Sequence, residues 1–301
     1  MMGAQSDGAL AGCEGQLFWR AWKPNALARA LLVLVHGYAE HIGRYEHVAA
    51  YFVQSGYAVY GFDHAGHGRS EGTRGHINAF ADYLADLRSF IALAQAREPG
   101  LATFLVGHSM GGLVSLAYGE QQPAGPRPPV AGTAVREVSN RPPAEVRGII
   151  VSAPGLRLAM PVPAWKLALG NALSGVMPTL AMANGIQSGY LTHDPAISGA
   201  YAKSDPLVFK TATARWATEF FRAQAETLAA APRFMLPCLL MHGGDDHLIS
   251  PEGTRQFFAA AGSADKTLKI YDGFYHEIFN EIGKEKVFAD MGDWLERHSA
   301  A

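Results

Sequence analysis

Residues 107–111 read Gly107-His108-Ser109-Met110-Gly111, a G-x-S-x-G pentapeptide. It follows the apolar run Leu-Ala-Thr-Phe-Leu-Val at 101–106 and opens the helix-like stretch Gly-Leu-Val-Ser-Leu-Ala-Tyr at 112–118. Strand, sharp turn and helix in that order give the pattern a mechanical meaning. Small residues on either side let the backbone take a strained turn and push the serine hydroxyl outward. The plainer alternative, a glycine-rich turn whose serine caps a helix, leaves the preceding strand unexplained. Ser109 is the candidate nucleophile.

A serine hydroxyl has too high a pKa to attack an ester at neutral pH, so it needs a base, and the base needs an orienting carboxylate. Behind this kind of turn the partners follow in the order Ser, then Asp or Glu, then His. The apolar run at 237–242 is followed by Gly243-Gly244-Asp245-Asp246-His247, which offers two acids at a strand's C-terminal end. The alternating run at 267–271 is followed by Asp272-Gly273-Phe274-Tyr275-His276-Glu277. The chain has 12 histidines. His36, His41, His47, His64, His67, His76, His108, His193 and His242 precede the acid, His247 adjoins it, and His298 lies in a polar tail. Only His276 fits the base by position.

These stretches belong together. With His36 to His41, Gly43-Arg44-Tyr45, Asp63 to Gly72, Ser204 to Leu207, and Asp265 to Tyr271, the chain resembles the monoacylglycerol lipase and lysophospholipase-type serine hydrolases of the α/β-hydrolase superfamily. The resemblance runs from about residue 15 to the end, interrupted by one atypical insertion. It implies an α/β-hydrolase fold, in which a mostly parallel sheet flanked by helices carries an inserted, mainly helical cap. It selects Asp246 over Asp245, because the family's acid is the third residue after the glycine that ends its strand.

Attack on an ester carbonyl concentrates charge on its oxygen, and a backbone N–H aimed there stabilises the transition state by about 2.7 to 4 kcal/mol. The residue after the nucleophile, Met110, supplies one such donor, and the loop after the strand at 31–35 supplies the other. The resemblance assigns that second donor to Tyr38, where a smaller residue followed by glycine is commoner. A tyrosine ring there is expected to narrow or line the acyl entrance. His36, Glu40, Asp63, His64, His67 and Arg69 crowd two neighbouring loops, yet no compact ligand spacing such as H-E-x-x-H appears. They are expected to hydrogen-bond the loops under the site, and neither a metal nor another cofactor is expected.

At 301 residues and 49% apolar content, the chain suits one α/β domain with an insertion. A net charge of -2 predicts no attraction to nucleic acid. Two cysteines, Cys13 and Cys238, build no disulfide framework. Leu10-Ala11-Gly12-Cys13 looks like a lipoprotein cleavage site, but residues 1–9 carry neither a positive charge nor an apolar core, so a cytoplasmic protein is expected. The apolar window 158–192 is broken by Pro161, Pro163, Gly170, Gly175 and Pro178 and reads as short helices rather than a membrane span.

Strands are predicted near 16–22, 30–36, 57–62, 102–107, 147–152, 237–242 and 267–271, and helices near 44–55, 79–97, 110–120, 252–261 and 284–297. This alternation predicts core segments at 1–155 and 236–301 around a cap at 156–235. The low charge of 158–192 predicts an apolar tunnel for an acyl chain, with Leu169 and Leu173 on its wall, and a cap able to touch lipid surfaces transiently. Residues 121–145, with six prolines at 123, 126, 128, 129, 142 and 143, read as an extended surface loop. The expected function is hydrolysis of carboxylic esters through an acyl-enzyme, with monoacylglycerols or related lipid monoesters as substrates by resemblance. A general short-chain esterase, a peptidase binding a peptide's amino terminus through cap acids such as Asp194, Asp205, Glu219 and Glu226, and a non-catalytic ligand-binding relative remain as alternatives. Oligomeric state is not legible.

Overall fold

Five consecutive apolar residues, Leu31–Val35, are all fully buried, as a strand covered on both faces requires. In the computed structural model, which describes residues 4–122 and 145–299, such strands build the centre of one eight-stranded sheet. In chain order its strands are β1 (Gln5–Gly12), β2 (Gly15–Trp22), β3 (Leu31–Val35), β4 (Ala58–Phe62), β5 (Thr103–His108) and β6 (Gly148–Ser152). After the insertion, where β7 (Ala181–Ala183) and β8 (Thr211–Thr213) form a separate two-stranded sheet, come β9 (Cys238–Gly243) and β10 (Lys266–Tyr271). The order across the large sheet is β1-β2-β4-β3-β5-β6-β9-β10. The first two pairings are antiparallel and the rest are parallel.

Side-chain alternation along the strands divides the core into two layers. Leu31, Val33 and Val35 of β3 join helices α2 (Phe80–Arg97) and α3 (Met110–Gly119), whereas Leu32 and Leu34 join α1 (Glu46–Gln54) and α8 (Glu285–Ser299). Helix α7 (Pro251–Ala260) lies on the α3 side through Phe257, and Pro251 at its first turn follows a Ser250 hydroxyl that accepts the Glu252 N–H. Between β6 and β9, the insertion contributes α4 (Ala164–Val176), α5 (Pro195–Gly199) and α6 (Ala214–Ala230).

Every predicted core strand and helix is present and ends within two residues of its expected bounds. Three strands lie outside the expectation: β1, which folds back on β2 through a tight hairpin, and the three-residue β7 and β8. β1 is built of polar and small residues with no apolar stripe to announce it, and the three-residue strands are too short for periodicity to register. Of the proline-rich stretch 121–145, residues 123–144 lie outside the described residues.

Helix α3 is pressed directly onto the strand beside it. A Cβ added to Gly111 would lie 2.1 Å from the Val35 carbonyl oxygen and 2.4 Å from that of His36. These are backbone atoms of a central strand and cannot swing away. Gly111→Ala is therefore expected to lower the unfolding free energy by about 1 to 3 kcal/mol, as overpacking does, and to shift the Ser109 turn. Urea unfolding, together with the labelling rate of Ser109 by a fluorophosphonate, checks this; wild-type values for both would refute it.

Candidate active site

The turn after β5 carries Ser109 at φ 53° and ψ -117°, a conformation that non-glycine residues rarely hold. Its amide donates to the Ser152 carbonyl oxygen of β6 at 3.0 Å. Gly107 permits the close return of the chain, since a Cβ there would lie 2.6 Å from the Gly111 carbonyl oxygen. The pentapeptide thus works as a tight strand-to-helix corner with the serine hydroxyl at its apex.

Three sequence-predicted residues meet at that apex. His276 Nε2 lies 2.9 Å from Ser109 Oγ, and His276 Nδ1 lies 2.6 Å from Asp246 Oδ2. With Nδ1 donating to the carboxylate, Nε2 is left to accept the serine proton. Asp246 is buried whereas Asp245 is exposed, which gives the two acids different surroundings. The other oxygen of Asp246 accepts the backbone N–H groups of Leu248 at 2.8 Å and Ile249 at 2.9 Å, and His242 Nε2 lies 3.1 Å from Oδ2. Burial alone raises a carboxyl pKa, but the charge of His276 and the bonds from His242 and His276 outweigh it and hold Asp246 well below the ordinary 3.8.

Two histidines that chain order excluded as bases belong to this neighbourhood. His242, at the end of β9, shares Asp246 with the base and is fixed from behind by Thr254 Oγ1 at 2.7 Å. His108 lies with its ring centroid 4.8 Å from that of His276, and its Nδ1 is 3.1 Å from Ser152 Oγ. Burial and the nearby His276 depress His108 to about 3, so it stays neutral. Spacing to the acid was the available signal for His242, which stands four residues before Asp246.

The loop after β3 faces the serine. Among the described residues, neither the Tyr38 nor the Met110 N–H has a bonded acceptor, so both are free to receive a substrate oxygen. Tyr38 lines the cavity, and in addition its ring stacks on Trp216 of α6 at 3.6 Å and its hydroxyl donates to the Thr211 carbonyl oxygen at 2.8 Å. It therefore pins the insertion to the core as well. Ala39, next in the chain, has φ 61°. Beneath, His36 Nε2 accepts the His64 N–H at 3.0 Å, and Asp63 accepts the Ile42 and Arg69 N–H groups at 2.7 and 2.8 Å. Among the described residues no three His, Cys, Asp or Glu side chains converge as metal ligands.

Above the serine is a cavity of about 540 Å³. Leu158, Met160, Val162, Ile186, Trp216, Phe220 and Phe221 give it an apolar wall. Leu158, Met160, Val162, Met182, Ile186 and Leu191 of the segment 158–192 line it as expected, but Leu169 and Leu173 do not, which corrects that part of the expectation: α4 buries only Ser174 and turns Leu169 outward at 51% exposure. The inner wall comes instead from the segments flanking α4 and from α6. Helix α6 was overlooked because its four charges, at Arg215, Glu219, Arg222 and Glu226, masked its apolar stripe.

The sequence matches the family described as serine aminopeptidase, S33, over residues 26–134 and 130–283. The chain belongs to that family. It is an enzyme, a serine ester hydrolase with the α/β-hydrolase fold. A monoacylglycerol lipase of Mycolicibacterium smegmatis is 32% identical over 98% of each chain. The crystal structure of a monoacylglycerol lipase from Paleococcus ferrophilus superimposes with a TM-score of 0.79 at 30% identity, covering 94% of this chain and 99% of that one. An uncharacterized abhydrolase domain-containing protein of Dictyostelium discoideum is 33% identical over 92% of this chain, which spans only 27% of that protein's length. No helix among the described residues is long and apolar enough to cross a membrane.

Burial pulls the His276 pKa down, but the Asp246 carboxylate, followed by Glu277 and Glu40, overrides burial and holds it above the ordinary 6.5. A raised pKa means that this group favours folding below pH 6.5 and that the contribution fades as pH rises through the folded value. Asp246, depressed, contributes above its ordinary 3.8 and loses that contribution as pH falls through its folded value. Titrating the imidazole by ¹⁵N NMR should give a His276 midpoint above 6.5 in the wild type. Asp246→Asn should move it down, because the carboxylate that favours the imidazolium is gone; an unmoved midpoint would mean that the carboxylate is not what holds the proton.

Proposed function

We propose that the protein hydrolyses lipid monoesters, monoacylglycerols foremost, through a covalent acyl-enzyme. The observation carrying this reading is the Ser109–His276–Asp246 chain of contacts, at 2.9 and 2.6 Å, at the floor of an apolar cavity. Ser109 attacks the ester carbonyl while His276 takes its proton, and Asp246 stabilises the imidazolium that forms. The carbonyl oxygen, now anionic, receives the N–H groups of Tyr38 and Met110, and His276 returns the proton to the departing alcohol. Water then repeats the sequence on the acyl-enzyme. The name of the mycobacterial relative supports the substrate class.

The peptidase alternative draws on the family description but finds little support in the acids. Asp194 caps α5, Asp205 is 2.8 Å from His41 Nε2, and Glu226 pairs with Arg222 at 2.8 Å. Glu219 accepts the Phe80 N–H at 2.9 Å and also pairs with Arg222. None of the four lines the cavity, so none is placed to hold a peptide's amino terminus.

The reading divides the chain into core segments at 1–155 and 236–301 and a cap at 156–235. Met160 and Met182 both line the cavity and stand 71% and 47% exposed, so it opens among apolar side chains. On α4, Trp165 and Val176 are also exposed, at 64% and 82%. Transient contact of the rim with a lipid surface belongs to this reading, because the substrate would pass from lipid to cavity without crossing water.

Ser109→Ala and His276→Ala are each expected to remove nearly all turnover of p-nitrophenyl butyrate, and the double variant to be little worse, because the residues act as a unit. Substantial turnover in either single variant would sink the triad. Burying an acyl methylene is worth up to about 0.8 kcal/mol, so kcat/KM should climb with acyl length until the cavity fills. Ile186→Asp and Phe221→Asp should depress long-chain esters far more than acetate or butyrate, measured below the aggregation concentration with matched circular dichroism. Equal losses at every length would show that these side chains serve packing instead.

A further inference from the structure

Beside the triad lies a cluster of three charges, none of which takes part in the proton transfers of the ester reaction. The side chains of Glu40, Arg44 and Glu277 are 4%, 9% and 4% exposed. Arg44 Nη1 donates to Glu40 Oε2 at 2.6 Å, and its two terminal nitrogens donate to the two oxygens of Glu277 at 2.7 and 2.8 Å. Burying three charges is expensive, and apolar residues of similar volume would often serve stability as well. Stability is therefore a poor account of them.

Their connections point elsewhere. Glu40 Oε1 accepts the Gly37 N–H at 2.6 Å and the Tyr45 hydroxyl at 2.7 Å, so this carboxylate grips the loop immediately before Tyr38. That loop contains Ala39 at φ 61°, a strained conformation that persists only when its surroundings hold it. At the other end, Glu277 follows His276 directly in the chain and accepts Asn280 Nδ2 at 2.7 Å. In the sheet, β3 and β10 are separated by β5, β6 and β9, so no strand pairing relates the two loops directly. Arg44 does.

We propose that Arg44, clamped between Glu40 and Glu277, is a positioning residue that holds the oxyanion-binding loop in register with the loop carrying the base. The inference rests on the triad reading above. Two carboxylates against one guanidinium also leave an excess negative charge facing His276. The charged or titratable groups around that imidazole are Asp246 and, through it, His242 from the β9 side, Glu40 and Arg44 from the β3 side, His108 from β5, and Glu277 on its own loop. Tyr201 of the insertion covers Arg44, with the guanidinium 5.2 Å from its ring centre.

The test uses the full chain carrying Arg44→Lys, Glu277→Gln or Ser109→Ala. A lysine keeps the charge but cannot hold a carboxylate bidentately. Both clamp variants should lose about ten- to a hundredfold in kcat on p-nitrophenyl butyrate, the scale expected of small misplacements, with KM within threefold of wild type and near-wild-type melting. Affinity for a trifluoromethyl ketone, which forms a tetrahedral adduct with the nucleophile, should fall in parallel with kcat/KM. Glu277→Gln should in addition move the acidic limb of kcat/KM to lower pH, because an anion facing the imidazolium is gone; a packing role would leave that limb in place. Should Arg44→Lys fail to fold, Glu277→Gln decides alone. Wild-type kcat in a folded clamp variant, or a loss confined to KM, overturns the clamp while an inactive Ser109→Ala leaves the triad standing. An active Ser109→Ala overturns the triad and the clamp with it.

Discussion

One backbone torsion governs the arrangement of this molecule. Ser109 sits at φ 53°, where an L side chain is crowded, and only surrounding structure can keep it there. The crowding is relieved by removing atoms nearby. Gly107 and Gly111 lack the Cβ atoms that would strike the return path of the chain and the edge of β3. That contact in turn fixes how closely α3 approaches the sheet, and so where the loop after β3 ends relative to the serine. The bond from the Ser109 amide to Ser152 secures the corner from the other side.

Around that corner, the protein treats chemically identical groups differently by choosing their neighbours. His108 and His276 have ring centroids only 4.8 Å apart and both are buried. Burial disfavours the cation in each. Only His276 has a carboxylate against Nδ1, and it is pushed towards binding a proton, whereas His108 faces a serine hydroxyl and is pushed away from it. The two adjacent acids 245 and 246 differ likewise: one is in solvent, and the other is enclosed by two backbone amides and two imidazoles.

The core fold was legible because its strands are apolar on both faces and its helices on one, so period and composition coincide at β3, β5, β6 and β9. Ser109, His276 and Asp246 could be singled out as candidates because the pentapeptide, the chain order and a family spacing each restrict one position. Proximity in space was not. Nothing local to Arg44 announces that its partner is Glu277, 233 residues away. The apolar composition of 158–192 suggests the inner wall of a tunnel, but much of that apolar surface faces outward on α4, and the wall falls partly to α6, whose charges obscure Trp216, Phe220 and Phe221. Hydrophobic content reports that a surface avoids water, not which partner covers it.

The two rims of the large sheet carry a further consequence. A strand with an unpaired side offers a row of amides to any passing chain, the usual seed of fibrous association. At one rim β1 is rich in polar residues and glycine-interrupted, and its Asp7 is engaged by Arg20, which also reaches Glu46. At the other rim β10 carries Lys266 and Lys269, with Lys269 tethered to Asp290 at 3.1 Å. An incoming strand would have to strip water from these charges before pairing. The protein can therefore expose an apolar rim around its cavity while its sheet stays closed to intermolecular growth, so that stickiness towards lipid need not become stickiness towards itself.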